Sequence, residues 1–100
     1  MLNLNSASVM LGLADVEDHF RRHGAGLAEI LNIVGGEIAL DLFCEVRERV
    51  DDSVPDTKKI HENLIRMQSI LAQADNPGPR YLQALCWHGA RLGDLAARVA

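Results

Sequence analysis

The chain has 100 residues, room for one domain and one core. A hydrophobic fraction of 48% excludes wholesale disorder, and aromatics at 4% leave Leu, Ile, Val and Ala to build the interior. The formal net charge is −4 with no basic stripe, which argues against nucleic acid as a direct ligand.

The charge is unevenly spread. Residues 1–52 carry ten acids and four arginines, and residues 53–100 carry four acids and six bases. The plain reading is two halves that attract each other on packing. The sharper one is a basic partner for the acidic half. The start, Met1-Leu2-Asn3-Leu4-Asn5, lacks the basic run of a secretory signal. No apolar stretch approaches the ~20 residues that span a bilayer. Cys44 and Cys86 fall in separate predicted helices and read as buried free thiols. Together these point to a cytoplasmic protein with no membrane contact. Eight arginines against two lysines, with abundant alanine, suggest a bacterial source.

The first element is marked by Val9, Leu13, Val16, Phe20, Leu27, Ile30, Leu31 and Val34, which share one helical face. This predicts a helix over about 9–34. Asp15 is a candidate cap, and Glu17–Arg21 and Asp18–Arg22 have the favourable i,i+4 order. Gly24-Ala25-Gly26 would ordinarily end a helix, but the apolar phase holds across it. The helix is therefore expected to continue, its glycines allowing a second helix to pass closely.

After Gly35-Gly36 the apolar set becomes Ala39, Leu42, Phe43, Val46 and Val50, rotated by roughly 120° from the first. A corner is expected at that pair, followed by a helix over about 37–51. Glu37, Asp41, Glu45 and Glu48 form an acidic row on its polar face. That row is a candidate surface for a partner.

Ser53-Val54-Pro55-Asp56 carries a capping-box-like pattern with Ser53 as the cap, predicting a helix over about 54–75. Ile60, Leu64, Met67, Leu71 and Ala74 form its stripe. Asn76-Pro77-Gly78-Pro79 ends it, and a last helix over about 79–98 carries Leu82, Leu85, Cys86, Leu92, Ala96 and Val99. Short connections make neighbours antiparallel. The expected fold is all-α, an up-down bundle of about four helices completed by homodimerisation.

Chemical motifs are weak. His19 and His23 stand at i,i+4 without a third metal ligand, and read as solvated surface residues. No metal or cofactor is expected. Trp87-His88-Gly89 matches the W-x-G of small secreted hairpin proteins, but that motif belongs in a turn and here lies within a predicted helix. His88, followed by Gly89, Ala90 and Arg91, superficially resembles the phosphoaccepting helix of histidine phosphotransfer domains. That resemblance implies a signalling module with His88 as phosphoacceptor. It departs at the fourth position on, which is Leu92 rather than glycine. No serine, cysteine and histidine group looks like an activated nucleophile. The leading expectation is a non-catalytic protein–protein interaction module, with Tyr81 and Trp87 as further candidate anchors.

Overall fold

The structure, a computed structural model, describes residues 4–100, with side chains from residue 7 onward. It is all-helical: α1 (Leu4–Arg49), α2 (Thr57–Ala72) and α3 (Pro79–Arg98). No strand is present among the described residues.

The corner expected at Gly35-Gly36 is there, and it is one residue wide. Gly36 has φ 66° and ψ −153°, outside helical space. This backbone conformation is open essentially to glycine alone. It divides α1 into a long arm, residues 4–35, and a short arm, residues 37–49. The arms fold back on each other, and Phe20 of one stacks on Phe43 of the other with ring centroids 5.0 Å apart. The sequence pattern predicts four helices and the described residues form three, because a single residue makes the turn and no loop separates the arms.

The long arm passes unbroken through Gly24-Ala25-Gly26. A Cβ at Gly24 would lie 3.4 Å from the Phe43 ring, and one at Gly26 would lie 3.3 Å from His88 Nε2. The glycines thus let the short arm and α3 approach the long arm from two sides.

Several boundaries differ from the pattern. Helix is present well before Val9, since apolar periodicity marks only turns that are packed, and Ala7 and Ser8 are exposed. Asp15 caps nothing. It lies inside the long arm and pairs with Arg98 at the end of α3, 2.7 Å away. The short arm ends at Arg49, and Asp51 and Asp52 close tight turns onto Glu48 and Arg49. Asp56, not Ser53, caps α2: its backbone is extended and its carboxylate accepts from the Lys59 amide at 3.0 Å. Helix therefore begins after Pro55 instead of at Val54.

All three helices contribute to one core. Val16, Leu27 and Leu31 of the long arm, Ala39 and Val46 of the short arm, Ile60, Leu64 and Met67 of α2, and Leu92 and Ala96 of α3 are fully buried. His61 ties α2 to α3 directly, its Nδ1–H donating to the Ala96 carbonyl at 2.7 Å. The thiols are free, but Cys44 is half-buried and Cys86 exposed, since neither lies on the buried stripe of its helix. Among the described residues no helix is long and apolar enough to cross a membrane.

Candidate functional site

Three features are chemically distinctive: a histidine-rich seam, an acidic row and an open apolar groove.

The seam lies where α3 crosses the long arm. His19 and His23, one turn apart, face Trp87 and His88. Trp87 is the hub, with ring centroids 5.6 Å from His19, 4.9 Å from His23 and 4.8 Å from His88. The His19 and His88 rings meet edge-on at 6.0 Å. The Arg91 guanidinium sits over the outer side of the indole, 5.8 Å from its centroid. His19 is only 4% exposed and His88 only 5%, whereas Trp87 is 42% exposed.

This burial corrects the reading of His19 as a solvated residue; only His23 is exposed. Both ring nitrogens of His19 and the Nδ1 of His88 are buried without a hydrogen-bond partner. An unpartnered imidazole in such a place is driven neutral, because its charged form loses most of its hydration. Burial, then the neighbouring His23, His88 and Arg91, lower the His19 pKa to about 4, against a weaker opposing pull from Asp18. Burial and His23 also push the His88 pKa down.

The sequence held a signal for this seam. His88 falls three residues after Leu85 and four before Leu92, in the middle of the buried stripe of α3. His19 falls three after Val16 and adjoins Phe20. Periodicity scored only on apolar residue types passes over both. Among the described residues no group of three or more His, Cys, Asp or Glu is placed to hold a metal ion. Trp87-His88-Gly89 lies well inside α3, far from any turn.

The acidic row is on the outside of the short arm. Glu37, Asp41 and Glu48 are exposed. Glu45 is half-buried and bonded to Arg49, whose Nη2 is 2.9 Å from Oε1. The Arg49 guanidinium holds the Glu45 carboxyl below its usual range. Tyr81 is half-buried against the core and lies far from the row along the chain. Trp87 belongs to the seam.

The groove has no counterpart in the sequence pattern. It opens between the long arm and the connection from α1 to α2, lined by Val9, Met10, Leu13, Val50, Val54 and Pro55. Met10 is 70% exposed and Val54 86% exposed. The sequence marks Val9 and Leu13 as core, but α2 starts too late to cover them.

The fold and these features define a small all-α protein with a buried histidine seam and an uncovered apolar end. No protein-family model, no curated protein and no solved structure matches the chain.

Proposed function

We propose that the protein is a small helical protein–protein interaction module, an adaptor, chaperone or regulator, that works as a homodimer and through a second protein, without catalysis of its own. The observation that carries this reading is the apolar groove. Large side chains left in water there at Met10 and Val54 favour a covering surface. The exposed acids Glu37, Asp41 and Glu48 suit a basic second partner, and half-exposed Trp87 on α3 is a separate candidate aromatic anchor. A cytoplasmic setting fits the free thiols.

Phosphotransfer through His88 gains no support. A phosphoacceptor imidazole must reach a donor's active site, and this ring is 5% exposed.

Light scattering across a range of concentrations tests the dimer. The expected mass is twice that of the chain, falling to one chain in Met10→Glu and Val54→Asp. A monomer at every concentration would refute the homodimer. A pull-down with wild type and with Glu37→Lys/Asp41→Lys then tests the second partner. A protein retained by wild type and lost by the double variant is the expected result.

A further inference from the structure

Buried polar side chains are usually anchored by a hydrogen bond, and even half-buried His61 has one to the Ala96 carbonyl. His19 and His88 break this pattern together and at the same place. Both nitrogens of His19 and one of His88 have no partner. The rings face each other across the contact between the long arm and α3, with the Trp87 indole packed against both. Such an arrangement holds while the rings are uncharged.

Protonation changes every term in it. A cation on His19 would lie inside the interface with no acceptor in reach. Of the groups that act on it, His23 on the long arm and His88 and Arg91 on α3 oppose its charge. Asp18 on the long arm is the one carboxylate that favours it, and Asp18 is already engaged by Arg21 at 2.8 Å and Arg22 at 3.0 Å. Among the described residues, no group on α2 or the short arm contributes. His88 faces His23 in the same way. A charged pair here repels across the seam, and the relief available is to part the helices and let water in.

We propose that the His19–Trp87–His88 seam is an acid-sensitive latch: protonation of its two buried imidazoles releases α3 from the long arm of α1. The latch is independent of what the groove binds. Below the opening pH the seam residues His19, Trp87 and His88 are open to solvent.

The test uses Trp87, the only tryptophan of the chain. Its fluorescence and the urea midpoint are followed from pH 7.5 to pH 4 in wild type and in His19→Leu. In wild type the unfolding equilibrium constant is expected to rise by up to tenfold per pH unit through His19 as pH falls from 6.5 towards 4, with a further rise below 6.5 through His88. The Trp87 emission should change over the same interval. His19→Leu should lose one ring's share of that slope and be no less stable than wild type at low pH. Equal slopes in the two proteins would overturn the latch. Histidine NMR titration of the folded wild type tests the latch without any variant. Ring signals of His19 and His88 that stay neutral until the emission changes support it, and titration near 6.5 in the intact fold overturns it.

Discussion

The Phe20 and Phe43 rings stack with planes 10° apart and centroids 5.0 Å apart, joining two arms of what is nominally one helix. Both are nearly fully buried, and the Arg47 guanidinium covers the Phe43 ring at 5.4 Å. Gly24 leaves the gap into which Phe43 fits. The α1 hairpin is therefore locked at its middle by one aromatic pair and at its end by one glycine. Phe43→Ala should destabilise the fold by about 3–5 kcal/mol, a large part of a small domain's stability. Urea unfolding measures it. A loss under about 1 kcal/mol would mean that the arms are held elsewhere.

Gly36 is the other lock. Its φ of 66° and ψ of −153° are the mirror image of polyproline II backbone. An L-alanine there would be strained whatever the space, although no atom lies within 4 Å of where its methyl would sit. Gly36→Ala should therefore destabilise by about 1–3 kcal/mol through backbone conformation alone. A D-alanine introduced by chemical synthesis fits the mirror conformation and should be neutral, or stabilising by about 0.4–1 kcal/mol. Equal effects of the two enantiomers would refute the assignment.

That corner was legible because rotation of an apolar stripe is a direct record of chain direction. The all-helical class and the run through Gly24-Ala25-Gly26 were legible for the same reason. Two kinds of feature were not. Asp56 and Ser53 both offer a cap, and only the conformation around Pro55 decides between them. The His19–His88 contact is between residues far apart in the chain, and no local pattern reports which polar side chains a distant helix will cover. The groove at Met10 and Val54 escapes the sequence pattern for a related reason. Periodicity reports a face suited to burial and says nothing about whether another element reaches it.

Asn63 stands in the middle of the α2 stripe, fully buried, with neither amide nitrogen nor oxygen hydrogen-bonded. Its burial removes hydration, and the return is limited to the pull of its amide on the Glu45 carboxylate, which it helps to hold charged. Asn63→Leu places an apolar side chain beside Leu64 and Met67 and should raise stability by about 1–3 kcal/mol. Thermal and urea unfolding both read this. A clear loss of stability would show that the amide makes an interaction worth more than its desolvation.

Glu45 gives a second pH dependence, opposite in origin to that of the histidines. Its carboxylate is bonded to Arg49 and its pKa is lowered from 4.5. The charged form is thus favoured in the folded state, and the resulting stabilisation is present above about pH 4.5 and fades as pH falls through the lowered value. The pair is partly exposed, so Glu45→Gln should cost no more than about 1 kcal/mol at pH 7. The difference between wild type and variant should shrink below pH 4.5 and also shrink with added salt. Protonation of His19 acts between pH 6.5 and about 4, an interval that lies mostly above this one. A wild-type minus Glu45→Gln difference that stays constant from pH 7 to pH 3 would show that the Arg49 contact contributes nothing to folding.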